Sequence, residues 1–216
     1  MRLKAMAKIN LGLDVLGKRE DGYHEVRMIM QTIRMYDILD IRKTRRPGIV
    51  LTTNLPFIPT DQRNLVYKAA QMLMEEFDVE EGLSIKLRKF IPVAAGMAGG
   101  SSDAAAAFVG VNRMFHLGLT EEQLMERAVK VGADVPYCIM RGTALAEGIG
   151  EKLTRLPEVP KCYVLIGKPG INVSTKTAYE NLNLEGIGKH PDIDGLIGAI
   201  RNNDLYAMAS RMEDVF

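Results

Sequence analysis

The chain predicts an α+β fold, and three observations carry that prediction. Segments with a period of two and segments with a helical period alternate irregularly along the 216 residues. Hairpins join several of the strands, and no internal repeat appears. The regular strand–helix–strand order that a doubly wound parallel sheet needs is missing.

The first strand falls in residues 1–17. In AKINLGLDVLGK, Ile9, Leu11, Leu13 and Val15 share one face, with Lys8, Asn10, Gly12 and Asp14 on the other. Taken alone, Lys8 reads as a solvated edge residue. Residues 18–25 form a turn that sets Tyr23 beside His24, where a lone histidine also fits a hydrogen-bonded structural role. Residues 26–42 read as two short strands joined near Tyr36 and Asp37, and RPGIVLTTN as a further turn and strand. Residues 64–77 make an amphipathic helix with Leu65, Ala69, Met72, Leu73 and Phe77 on one stripe. The chain then alternates again, with Leu83, Ile85, Leu87 and Lys89 facing one way, until Pro92 ends the pairing.

Gly96, Gly99 and Gly100 lead into Ser101, Ser102 and Asp103, which can cap a helix, and the run of alanines at 104–107 makes that helix. Thr120 and Gln123 form a capping box for the next one. Residues 132–136 read as a helix exit into a short apolar strand, YCIM, with Asp134 as a cap for local backbone. RGTALAEGIGEKL is a hairpin and KCYVLIGKPG a buried strand ending in a turn. Residues 174–181, 193–201 and 204–214 are helical. A composition shift at LPEVP marks the boundary between a domain of residues 1–158 and one of 159–216.

Hydrophobic residues make up 47% of the chain and charged residues 25%, as in a soluble globular protein. With 28 Lys and Arg against 27 Asp and Glu, no strong field invites nucleic acid or an anionic membrane. Two cysteines make neither a disulfide framework nor a metal set, which fits a reducing cytoplasm. The first residues lack a signal peptide's apolar core, and no run reaches transmembrane length. The sequence carries no signal for an oligomeric state.

The order strand, glycine loop, helix start carries the chemistry. The first N–H groups of a helix have no intrahelical partners. Glycines let such backbone approach a ligand, and the helix dipole favours an anion, most often phosphate. No lysine lies between Phe90 and Arg113, so the loop is not a Walker motif. The spacing Gly96-x-x-Gly99-Gly100 does not match the dinucleotide fingerprint either. A tight turn before a serine-capped helix, with glycine and alanine serving close packing, accounts for the same residues.

PVAAGMAGGSSDAAA, at 92–106, resembles the central glycine motif of the GHMP kinases. AKINLGLDVLGKREDGYHEV, at 7–26, and GADVPYC, at 132–138, narrow the resemblance to one branch of that superfamily. That branch phosphorylates the 2-hydroxyl of 4-diphosphocytidyl-2-C-methyl-D-erythritol in the non-mevalonate isoprenoid pathway. The likeness runs in order from Met1 to about Tyr179.

The resemblance implies a GHMP kinase fold. A ribosomal-protein-S5-like N-terminal domain binds ATP, a ferredoxin-like C-terminal domain completes the protein, and the site lies in the cleft between them. It implies ATP and Mg²⁺ as cofactors and a cytidine diphosphate derivative as the small-molecule partner. Lys8 and Asp134 take the positions of the catalytic pair. Pro92, Val93, Ala94, Ala95, Gly96, Met97, Ala98, Gly99, Gly100, Ser101 and Ser102 would wrap the ATP phosphates, and Lys89 and Asn64 would border the adenosine. Tyr23 and Tyr179 would stack on cytosine, His24 would read its polar edge, Asn10 would lie near the acceptor hydroxyl, and Thr175 would support that wall. Met30 stands where the family often has an aromatic. The family's third glycine-rich segment lies beyond residue 216, so the second domain is expected to be partial. The alternatives are a nucleotide-binding but catalytically weak fragment, or a GHMP kinase with another acceptor such as homoserine. Against the second, a small amino acid offers no ring for Tyr23 and Tyr179 to stack on.

Overall fold

A computed structural model of the chain describes residues 1–168, 170 and 175–216, the side chains of Thr175, Lys176 and Glu185 excepted. In order come β1 (Arg2–Lys18), β2 (His24–Thr44), β3 (Ile49–Thr53), α1 (Leu65–Glu76), β4 (Gly82–Arg88), α2 (Gly99–Phe115), α3 (Glu121–Ala128) and α4 (Val135–Met140). They are followed by β5 (Thr143–Gly148), β6 (Lys152–Leu156), α5 (Thr175–Glu180), a 3₁₀ turn at Leu184–Gly186, α6 (Ile193–Arg201), α7 (Leu205–Ala209) and β7 (Glu213–Asp214). Parallel and antiparallel pairings mix, and the fold is α+β as the sequence predicts.

The chain forms two compact units. One comprises Met1–Lys8, Ile33–Val93 and Met97–Met140, and the other Ile9–Thr32, Ala94–Gly96 and Arg141–Phe216. Neither is a continuous stretch, because β1 and β2 each give residues to both.

In the first unit β4 lies between β3, parallel to it, and the C-terminal half of β2, antiparallel to it. The alternation in β4 holds: Leu83, Ile85 and Leu87 are buried while Lys86 is exposed. Helices α1 and α2 pack on one another. At Gly110 of α2 a Cβ would come within 2.5 Å of Ile41 Cδ1 and 2.7 Å of Leu3 Cδ1, so the helix rides close on β2 and β1. Phe108, Leu39, Ile41, Leu73 and Ile85 are fully buried there, each such side chain stabilising by roughly 1.5–3 kcal/mol.

In the second unit the N-terminal half of β2 pairs antiparallel with β5, which pairs antiparallel with β6. Strand β7 adds in parallel to β1 at Gly12 and Leu13. Helix α6 supplies Ile193, Leu196, Ile197 and Ile200 to a cluster with Leu11, Ile29 and Leu145. A Cβ at Gly12 would meet Ile193 Cδ1 at 3.0 Å and Leu196 Cδ2 at 3.1 Å. Both faces of β1 are therefore covered over residues 11–15, not the single face its alternation predicts.

Four elements differ from the sequence reading. Residues 26–42 are one continuous strand, because Asp37 is satisfied by buried donors and needs no turn. YCIM belongs to a helix, α4. Pro136 is tolerated in a first helical turn, and four apolar residues do not distinguish a buried helix from a strand. Over its described residues, 161–168, KCYVLIGKPG forms no ladder, and Tyr163 and Leu165 are fully exposed. Strand propensity is realised only against a partner strand, and none among the described residues pairs with it. The helix expected over 204–214 ends at Ala209, and Glu213 and Asp214 pair as β7 instead. Of the helix expected over 174–181, residue 174 lies outside the described residues. No helix among the described residues is long and apolar enough to cross a membrane.

Candidate active site

The turn after β4 brings the chain to α2 through a run of left-handed residues: Ala94 at φ 53°, Gly96 at 68° and Ala98 at 52°. Ala98 is the N-cap of α2 and offers no side-chain bond, so Ser101, Ser102 and Asp103 lie inside the first turn and do not cap it. The first α2 bond runs from the Ser102 N–H to the Ala98 carbonyl at 2.8 Å. The N–H groups of Gly99, Gly100 and Ser101 precede it and point out of the helix start. Ser102 is buried, and its hydroxyl donates back to the Gly99 carbonyl at 3.0 Å. Pro92 and Val93 enter this loop and Ala95 lies within it.

Strand β1 delivers Lys8 to the same end of α2. The Lys8 N–H donates to the Met97 carbonyl at 3.2 Å, which ties strand to loop. Lys8 Nζ lies 4.0 Å from Asp134 Oδ2, with the lysine side chain 6% exposed and the aspartate 31%. Asp134 also starts α4, its carbonyl accepting from the Cys138 N–H at 3.1 Å. A buried ammonium beside a carboxylate that still meets solvent can orient a hydroxyl and take its proton. The two residues singled out at 8 and 134 are brought together.

Lys89 and Asn64 turn inward. Lys89 is buried, with Nζ bonded to Asp37 and 2.6 Å from Asp103 Oδ2. Its ammonium is thus committed to two carboxyl groups, and any contact with adenosine falls to its backbone or its stem. Asn64 caps α1: Oδ1 accepts from the Val66 N–H at 2.9 Å, and Nδ2 donates to the Pro59 carbonyl at 2.7 Å. Burial pushes the Asp103 carboxyl up to about 8 against the pull of Lys89, with Asp37 adding to the rise.

The residues expected on the acceptor side belong to the second unit. The His24 and Tyr179 rings lie with centroids 5.0 Å apart, tilted by 32°, and Tyr179 meets Phe216 edge-on at 4.8 Å. Tyr23 is 59% exposed, with its N–H bonded to Asp21 Oδ1. Asn10 is half-buried on β1. Thr175 opens α5, and its side chain lies outside the described residues.

Asp37 and Asp103 escaped the sequence reading. Each had a signal: a lone acid in the strand segment MYDIL and another against an alanine run, where solvation is poor. Among the described residues no group of three His, Cys, Asp or Glu side chains converges on a point that could hold a metal. Ser101, in the first turn of α2, offers a hydroxyl oxygen of the kind Mg²⁺ takes beside nucleotide phosphates.

Comparison with known proteins adds a separate line. Residues 64–142 match the family model for the GHMP kinases N terminal domain. A 4-diphosphocytidyl-2-C-methyl-D-erythritol kinase of Lachnospira eligens is 56% identical over 215 residues, covering 100% of this chain and 75% of that protein. One from Lachnoclostridium phytofermentans is 56% identical over 213 residues, covering 99% and 73%. Among solved structures, a 4-(cytidine 5'-diphospho)-2C-methyl-D-erythritol kinase superposes with a TM-score of 0.77 at 30% identity, covering 94% of this chain and 72% of that one. A homoserine kinase from Cytophaga hutchinsonii reaches 0.71 at 18% identity, a likeness of fold.

Proposed function

The chain belongs to the 4-diphosphocytidyl-2-C-methyl-D-erythritol kinase family of the GHMP kinases, and from that premise we propose how its residues transfer a phosphoryl group. The donor is ATP and the acceptor is the 2-hydroxyl of 4-diphosphocytidyl-2-C-methyl-D-erythritol, in the non-mevalonate isoprenoid pathway. Cysteine usage supports a cytoplasmic setting.

Phosphoryl transfer asks for positioning and charge stabilisation more than for covalent help. The N–H groups of Gly99, Gly100 and Ser101 receive the donor's phosphates at the positive end of α2. Asp134 orients the acceptor hydroxyl and takes its proton. Lys8 holds Asp134 in place and balances negative charge on the transferring group. Ser101 and the nucleotide's oxygens would hold Mg²⁺, which would supply further charge neutralisation. Tyr179 and Tyr23 stack on the cytosine, and His24 and Asn10 offer polar contacts to the acceptor. The domain reading of residues 1–158 and 159–216 assigns the nucleotide to the first part.

The observation that carries this reading is the Lys8–Asp134 pair at 4.0 Å, tied to the glycine loop through Met97. Asp134→Asn should lower kcat by 10²–10⁴-fold, on the order expected for general-base help, and leave ATP binding nearly intact. Acceptor-dependent ADP release and calorimetric titration with Mg·ATP on one preparation check it. A variant keeping more than about a tenth of the wild-type rate removes the base role.

A further inference from the structure

Beneath the first turn of α2 lies a cluster that the reaction as described does not use. Lys89, Asp37 and Asp103 come from the end of β4, from β2 and from α2, with side chains 5%, 0% and 2% exposed. Lys89 Nζ bonds both carboxyl groups. Asp37 Oδ1 accepts from the Phe90 N–H at 2.5 Å and the Ile91 N–H at 2.8 Å, so one carboxylate grips both the ammonium and the chain that leads into the loop. Asn54 clamps Lys89 from its other side, accepting from the Lys89 N–H at 2.8 Å and donating to the Lys89 carbonyl at 3.1 Å. Among the described residues, Asp103 Oδ1 is buried without a hydrogen-bond partner.

This arrangement is costly as pure scaffolding. Three ionisable groups lose their water, and a well-packed apolar trio would hold the same elements together as well or better. The ammonium also sits near the positive end of α2: a Cβ on Gly99 would lie 3.2 Å from Lys89 Nζ. What charged and directional bonds give that apolar packing does not is a fixed register. They set the first turn of α2 against β4 and β2, with Gly99 small enough to let the ammonium pass beneath it.

We propose that Lys89, Asp37 and Asp103 are positioning residues that hold the first turn of α2, Ala98 to Ser102, in the geometry that receives the donor's phosphates. Their charged groups touch neither substrate and act through the backbone N–H groups above them. The proposal rests on the reading that this turn takes ATP, so it needs a readout that does not involve ATP.

Two variants of the full chain supply it. Lys89→Met removes the ammonium at similar length. Asp103→Ala breaks the cluster from the helix side and carries the same comparison if the first does not fold. In the ligand-free protein, amide hydrogen exchange at Ser102, whose N–H makes the first α2 bond to the Ala98 carbonyl, should quicken about tenfold or more, and KM for ATP should rise to a similar degree, since misplacement by about 1 Å can cost 10²-fold. The acceptor KM should stay within about twofold, since the aromatic contacts lie outside the cluster. Asp103→Asn keeps an acceptor for Lys89 without a charge and should restore both readouts. Unchanged exchange at Ser102 in a folded variant, or an equal loss in kcat and both KM values, overturns the proposal. Faster exchange in a chain whose wild type phosphorylates nothing would leave the positioning role standing and remove the kinase reading instead.

Discussion

Burial drives the Asp103 carboxyl up to about 8 from the usual 3.8, and this gives the protein a pH signature of definite sign. Below about 3.8 the group holds its proton in both folded and unfolded chains. Between there and about 8 only the folded chain holds it, so stability is full at the acid end and is lost as pH rises through that window. Between about pH 5 and 8 the unfolding free energy should fall by at most about 1.4 kcal/mol per pH unit. Asp103→Asn, which cannot titrate, should flatten that slope in denaturant titrations at several pH values; an unchanged slope would assign it to other groups. Ala98 offers a second test at this scale. At φ 52° and ψ 30° it holds a left-handed conformation that costs an alanine more than a glycine. Ala98→Gly should therefore stabilise by about 0.5–1 kcal/mol despite glycine's greater freedom when unfolded. A loss of stability would count against the loop geometry. Lys8 and Asp134 could be read in the sequence only through family resemblance, because taken alone each had an ordinary surface or capping role. Asp37 and Asp103 were read only as a strand junction and a helix cap, not as a buried cluster with Lys89. Their partners lie far along the chain, and a lone acid among apolar neighbours looks the same whether it marks a turn or a buried bond.

Periodicity served well where one face of an element meets water. The alternation of β4 and the capping box of α3 were both legible, because each depends on residues within a few positions of one another. It failed where tertiary partners decide. YCIM is too short and too apolar to show a period, and β1 is covered on both faces over 11–15. Residues 161–168 carry a strand's composition and find no partner strand among the described residues. Helix α2 shows the same dependence from the other side. Its Gly110 looked like one more small residue in an alanine-rich helix, yet it is where α2 touches Ile41 and Leu3. On propensity alone, replacing a mid-helix glycine gains up to about 1 kcal/mol. Gly110→Val would instead drive branched carbons into those two side chains, and the overpacking cost of about 1–3 kcal/mol should win. Thermal unfolding would show it as a lowered Tm, and a raised Tm would mean the helix can lift off the sheet without penalty.

At the scale of the whole molecule, β1 and β2 hand the chain from one compact unit to the other, with Lys8 ending one segment and Ile9 opening the next. The nucleotide residues of the proposed mechanism, Gly99 to Ser101 with Lys8 and Asp134, all lie in the first unit, and the acceptor residues Asn10, Tyr23, His24 and Tyr179 all lie in the second. Changes at those four acceptor residues should therefore fall on the acceptor and spare ATP. Tyr179 is the sharpest place to ask, since its ring lies 5.0 Å from that of His24 and is one of the two expected to stack on cytosine. Stacking on a base contributes roughly 1–3 kcal/mol, so Tyr179→Ala should raise the acceptor KM by about tenfold or more. Tyr179→Phe keeps the ring and should stay within a few-fold of wild type, which separates stacking from loss of the hydroxyl. The KM for ATP should not move in either variant. If Tyr179→Ala weakens both substrates equally, the ring is holding up α5 and the chain around it, and the cytosine must find its stacking partner elsewhere.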